Sequence, residues 1–120
     1  MASPVRAAAL TAALAATAPA AASADVVLIN VFTVPEGALE ETLAFWDRAA
    51  EVMAAQPGYV STALHQAISP EARHQLVNVA VWQDEAAFRA ASARLRETTR
   101  PPSIEGLSFE PALYRVVRQD

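Results

Sequence analysis

Val77-Asn78-Val79-Ala80-Val81-Trp82 reads as a buried strand that carries an amide and an indole on one face. Side chains alternate along a strand, so Asn78, Ala80 and Trp82 point one way and Val77, Val79 and Val81 the other. A buried asparagine costs stability unless its amide is hydrogen-bonded. The stretch therefore predicts either a structural hydrogen bond or a lined pocket. A second asparagine in the same setting, Asn30 within Leu28-Ile29-Asn30-Val31-Phe32, favours the pocket.

Working outward, six elements are legible. Val26 to Val34 is the first strand, rich in Val, Ile and Phe, and Pro35-Glu36-Gly37 is the turn that closes it. A helix is predicted over about Ala38 to Ala55, because Leu39, Leu43, Trp46, Ala50 and Met53 recur at helical spacing. Glu40, Glu41, Asp47 and Glu51 mark its wet side, and Gln56-Pro57-Gly58 stops it. Tyr59 to Ala67 is the second strand, Ser69 to Arg73 a hairpin loop, and His74 to Trp82 the third strand. Asp84 caps a helix running to about Arg96, with Phe88, Ala91 and Leu95 on one face. Thr98 to Gly106 is a loop. Ser108 to Val117 is the last strand, in which Pro111 suits an edge or a bulge.

The order is β-α-β-β-α-β, an α+β chain of ferredoxin-like, split βαβ arrangement. The first and third strands are neighbours in such a fold, so Asn30 and Asn78 converge on one cavity, or bond to each other or to backbone. In the first strand Val27, Ile29 and Val31 form one face, and Leu28, Asn30 and Phe32 the other; both are largely apolar, as in the third strand. Helices on one side leave the second face needing cover. The sheet of another copy would supply it, which predicts a homodimer. A misassigned register is the competing explanation.

Composition narrows the chemistry. The 120 residues are 53% hydrophobic with a formal charge of −4, which suits one globular domain. All nine basic residues are arginine, so no lysine is present for a Schiff base, and no basic patch with interleaved aromatics points to nucleic acid. The absence of cysteine removes thiol catalysis, Fe–S clusters and disulfides together. His65 and His74 are the two histidines, and without a clear third ligand no metal site is expected.

The first 24 residues stand apart, 13 of them alanine. Arg6 precedes an apolar run from Ala7 to Ala18, and Ala22-Ser23-Ala24 forms a cleavage signature before Asp25. That is the layout of a secretory signal peptide, and the run is too short for a membrane span. Residues 1–24 are thus read as a leader and 25–120 as the domain. Export to the periplasm or medium is expected, with no membrane insertion of the mature chain. The alternative is a cytoplasmic protein with a non-functional alanine-rich extension.

Several segments together resemble the antibiotic biosynthesis monooxygenase family. They are Leu28 to Phe32, Gln56-Pro57-Gly58-Tyr59-Val60-Ser61, Leu64-His65, and Val77 to Trp82 followed by Glu85-Ala86-Ala87-Phe88. The resemblance covers about residues 25 to 97 well and the last strand loosely. It implies a dimeric α/β barrel of ferredoxin-like protomers with an apolar cavity between sheet and helices. It also implies a monooxygenase that acts on phenolic or quinol-type aromatics with O₂ as co-substrate and neither metal nor flavin. Haem-degrading proteins share the superfamily.

Cofactor-free oxygenation needs an electron-rich anion held in a dry pocket by hydrogen-bond donors. Asn78 matches the family's strand asparagine, and an amide suits the donor task. Trp82 matches the family tryptophan four residues later, as a pocket wall with its N–H toward the ligand. His65 matches the family histidine and is the one obvious proton acceptor near neutral pH. These three are the catalytic candidates, and Asn30, Phe32, Phe88 and Tyr59 the substrate-binding ones. Each has a plainer reading as a core residue with a satisfied partner.

Two departures weigh against a simple transfer. Phe88 stands where some oxygenating members have tyrosine, and Tyr59 or Tyr114 would have to replace that hydroxyl. No histidine follows His74, so the axial ligand of the haem-degrading relatives is missing. The rival expectation is a non-catalytic protein that holds a small apolar molecule, or haem, in the same cavity.

Overall fold

The computed structural model describes residues 25–120. Its elements are β1 (Val26–Thr33), α1 (Leu39–Ala54), β2 (Tyr59–Gln66), β3 (Leu76–Trp82), α2 (Glu85–Thr98) and β4 (Ser108–Tyr114). The four strands form one sheet in the order β2-β3-β1-β4, with every neighbouring pair antiparallel. This is the ferredoxin-like α+β arrangement expected from the pattern. The leader read over residues 1–24 lies outside the described residues. Among those described, no helix is long and apolar enough to cross a membrane.

Element ends differ from expectation by a few residues. His74 was expected to open the third strand, yet it lies in the β2–β3 loop, and pairing starts at Leu76 opposite Gln66. Gln75 accounts for the difference: its side-chain nitrogen donates to the carbonyls of Ser69, Pro70 and Ala72, fixing the loop up to the strand. The last strand stops at Tyr114 rather than Val117. It is an edge strand, and Pro111, with no N–H to give a ladder, stands opposite Asn30 within it.

Two tight turns set the helix–strand geometry. Ala38 N–H donates to the Pro35 carbonyl at 3.1 Å across Gly37, whose φ is +86°. Tyr59 N–H donates to the Gln56 carbonyl at 3.3 Å across Pro57-Gly58, where Gly58 has φ +87°. A glycine of positive φ at the third position is the chemistry of a type II turn, and in the second turn Pro57 also occupies the second position that such turns favour. Helix α2 begins as predicted, with the Asp84 carboxylate accepting from Ala87 N–H at 2.8 Å.

Both helices cover the face of the sheet that carries Leu28, Ala80 and Trp82. These residues and Ala91 of α2 form the core, with Val26, Met53, Tyr59, Ala87, Phe88 and Leu113 packed around them. The opposite face presents Val27, Ile29, Val31, Val77, Val79 and Val81, all half-buried in the single chain. Beside them Tyr114, the register partner of Val27, is 51% exposed.

A candidate active site between sheet and helices

Packing on the helix-covered face is dense at two ends and open between them. At one end Tyr59 and Phe88 each meet Trp82 edge-on, with ring centroids 5.5 and 5.9 Å away. At the other, Phe32 and Phe45 close on Phe109 at 4.7 and 5.6 Å. Between the two aromatic clusters lies a cavity of about 250 Å³. Its floor is Leu28, Asn30 and Phe32 of β1 with Asn78, Ala80 and Trp82 of β3; its roof is Phe45, Trp46, Ala49, Ala50 and Met53 of α1. Leu95, Arg96, Thr99 and Pro101 complete the wall at the end of α2.

The two asparagines stand at the centre of the floor. Asn30 and Asn78 are direct partners in the β1–β3 ladder, on the same face. The Asn78 side-chain oxygen accepts two hydrogen bonds, from Trp46 Nε1 at 3.2 Å and from Thr62 Oγ1 at 2.9 Å. Its amide nitrogen donates to none of the described residues and is not among the atoms closed to solvent. Asn30 Oδ1 and Trp82 Nε1 are closed to solvent and have no partner. Trp82 is 1% exposed. A buried polar atom left without a partner costs about 1–3 kcal/mol.

Of the seven candidate residues, the structure brings Asn30, Phe32, Tyr59, Asn78 and Trp82 to one cavity. Tyr59 reaches it through a bulge between Tyr59 and Ser61, which turns Val60 outward, 51% exposed. Phe88 packs edge-on against Trp82 and is not among the residues that line the cavity. His65 is placed on the other face of the sheet. It pairs with Val77, and strand alternation sends both away from Asn78. Its ring Nδ1 lies 3.2 Å from the Val77 carbonyl oxygen, the geometry of an N–H donor, and the side chain is exposed. Tyr114 shares that outer face, so Tyr59 supplies the phenol nearest the cavity.

Trp46, Thr62 and Arg96 belong to the site and were not singled out as site residues from the sequence. Trp46 was legible as part of the α1 stripe, and an indole N–H in an apolar stripe signals a buried acceptor opposite. Thr62 and Arg96 carry no such signal. Among the described residues no Asp, Glu or His lines the cavity, and Arg96 is the one charged residue that does. Among the described residues, no group of three or more His, Cys, Asp or Glu is placed to hold a metal ion.

The antibiotic biosynthesis monooxygenase family matches residues 25–94. Among solved structures, a candidate monooxygenase from Shewanella loihica PV-4 is 47% identical, with a TM-score of 0.72 over 81% of this chain and 98% of its own. SnoaB, a cofactor-independent oxygenase from Streptomyces nogalater, is 30% identical with a TM-score of 0.59, over 82% of this chain and 97% of its own. A haem-degrading protein from Mycobacterium tuberculosis is 26% identical with a TM-score of 0.58, over 82% and 97%. No curated protein sequence matches the chain.

Proposed function

This chain belongs to the antibiotic biosynthesis monooxygenase family, and from that premise we propose that it oxygenates a phenolic or quinol-type aromatic with O₂ and no cofactor of its own. The observation that carries the reading is the pair of central amides in a largely apolar cavity, with an N–H pair on Asn78 that donates to none of the described residues. An anthrone illustrates the chemistry. Loss of a proton from its ring CH₂ gives an enolate rich enough in electrons to reduce O₂. Oxygen adds at that carbon, the peroxide loses water, and CH₂ plus O₂ becomes C=O plus H₂O. The part of the protein is to hold the anion away from water and donate hydrogen bonds to its oxygen. Asn78 N–H donates, Trp82 and Phe32 grip the rings, and Asn30 accepts from a hydroxyl. With no carboxylate or imidazole among the described wall residues, the substrate ionises by its own acidity, and Arg96 at the wall favours the anion.

SnoaB's description as a cofactor-independent oxygenase supports this reading. The test is oxygen uptake by metal-stripped protein with a panel of anthrones and hydroquinones, autoxidation subtracted. Uptake should saturate and fall in Asn78→Ala. Unchanged uptake in a folded variant would remove Asn78 from the mechanism.

One observation favours a second reading, a binding protein without chemistry. Phe88 brings no hydroxyl, and its ring packs on Trp82. That reading predicts saturable binding of the same compounds without oxygen consumption. Two further parts of the proposal concern assembly and location. A second copy covers the Val27, Ile29, Val31, Val77, Val79 and Val81 face, giving a homodimer; sedimentation reads this directly. The leader exports the domain, and N-terminal sequencing of the mature protein tests for cleavage after Ala24.

A further inference from the structure

We propose that Trp46 and Thr62 are positioning residues that set the polarity of the Asn78 amide, so that its N–H pair, and not its oxygen, is offered to the cavity. The role in turnover rests on the monooxygenase reading; the orientation does not.

An asparagine amide is nearly symmetric in shape, and its two ends differ in what they do. The nitrogen end donates to an anion, and the oxygen end repels it. A free amide at the centre of the cavity would present both. The indole N–H of Trp46 is donor-only, so the Asn78 atom 3.2 Å from it is the oxygen. Thr62 Oγ1, 2.9 Å from the same atom, donates as well. Two donors fill both lone-pair directions of that oxygen. Turning the amide over would set its N–H against the donor-only indole N–H of Trp46, while the Thr62 hydroxyl would have to turn from donor to acceptor.

The three groups come from different elements, α1, β2 and β3. The polarity is therefore fixed by tertiary packing and not by any local motif. A purely structural asparagine would spend its nitrogen on a protein acceptor too, since buried amides are normally paired at both ends. Here the nitrogen donates to none of the described residues and faces the cavity. That asymmetry, one end doubly bonded and the other free, is what assigns the device to ligand recognition.

The chain has two tryptophans, so a ¹H–¹⁵N spectrum of the full-length protein carries two indole signals. Trp46→Phe removes one and assigns both. In Asn78→Ala the Trp46 signal should move and its proton should exchange with water faster. If that signal is indifferent to Asn78→Ala, the hydrogen bond is absent and the proposal is overturned.

The functional arm uses Thr62→Val, which keeps shape and loses the hydroxyl. Turnover of 1,8-dihydroxyanthrone, or affinity for the non-oxidisable 1,8-dihydroxyanthraquinone, should fall by about tenfold, the scale of one such hydrogen bond. Thr62→Ser should restore it. In an Asn78→Ala background, Thr62→Val should have no further effect, because nothing is left to orient. An equal loss in that background marks Thr62 as a packing residue and overturns the proposal. If the wild type neither oxidises the anthrone nor binds the quinone while the Trp46 signal still answers to Asn78→Ala, the orientation stands and the monooxygenase reading falls.

Discussion

Tyr59 meets Trp82 edge-on, with planes at 81°, because a single extra residue interrupts the β2–β3 ladder between Tyr59 and Ser61. Strand parity from Thr62, which lines the cavity, would send Tyr59 to the outer face with His65. The bulge reverses that parity for Tyr59 alone and leaves Val60 facing outward. One inserted residue thus decides whether the cavity has a phenol on its wall.

Trp82 packs as a ring and is unpaid as a donor, and Trp82→Phe separates the two. Phenylalanine keeps the aromatic contact to Tyr59 and Phe88 and removes the orphaned N–H. The loss of stability should be about 1–2 kcal/mol, well short of the about 3–5 kcal/mol expected for Trp82→Ala. Urea unfolding measures both. If the N–H serves a ligand, affinity for dihydroxyanthraquinone should fall in Trp82→Phe as well.

His65→Gln should leave kcat/KM for an active anthrone within about twofold of wild type, a change under roughly 0.5 kcal/mol. The side chain is exposed on the face away from Asn78. A drop of two orders of magnitude would restore His65 as the base and require a path around the sheet.

Arg96→Gln should raise KM for phenols that ionise near neutral pH and leave kcat largely intact. It removes the one charged group on the wall, whose attraction acts on binding before chemistry. The increase should shrink as salt is added, because an exposed charge is screened. A KM that does not respond would show that the anion enters unassisted.

Val79→Arg places a charge in the centre of the outer apolar face, between Ile29 and Ala63 in the ladder. Sedimentation should give a dimer for the wild type and a monomer for this variant. A dimer that survives the substitution would put the interface elsewhere.

Gly58→Ala should destabilise the fold by more than about 1–2 kcal/mol from its left-handed φ alone. A Cβ there would also lie 2.4 Å from Ala87 Cβ, in the first turn of α2. Thermal melting reads this. A melting temperature near wild type would mean that α2 shifts to make room.

Much of this architecture was legible. The alternation in Val77 to Trp82 and in Leu28 to Phe32 put both asparagines on one face, and their register partnership follows from the strand order. Asp84 and the turns at Pro35-Glu36-Gly37 and Pro57-Gly58 marked element ends because their chemistry is local. What escaped was non-local. The hydroxyl of Thr62 and the indole of Trp46 meet Asn78 from residues 16 and 32 positions away, and no window of sequence holds all three. The face of Tyr59 was open because a bulge is invisible to a period-two pattern. His65 sat in a family-like Leu-His pair, but its direction depended on the β2–β3 register.

Trp82 N–H and Asn30 Oδ1 have no partner among the described residues, so a molecule that bonds to them would stabilise the folded state. Heat can therefore find that molecule before any product is identified. A compound that binds the folded state at 100 times its dissociation constant adds about 2.7 kcal/mol. In a domain of this size, each kilocalorie is worth about 4–8 °C of melting temperature. A library of hydroxylated aromatics ranked by melting shift would rank them by how well they complete the cavity, whatever chemistry follows.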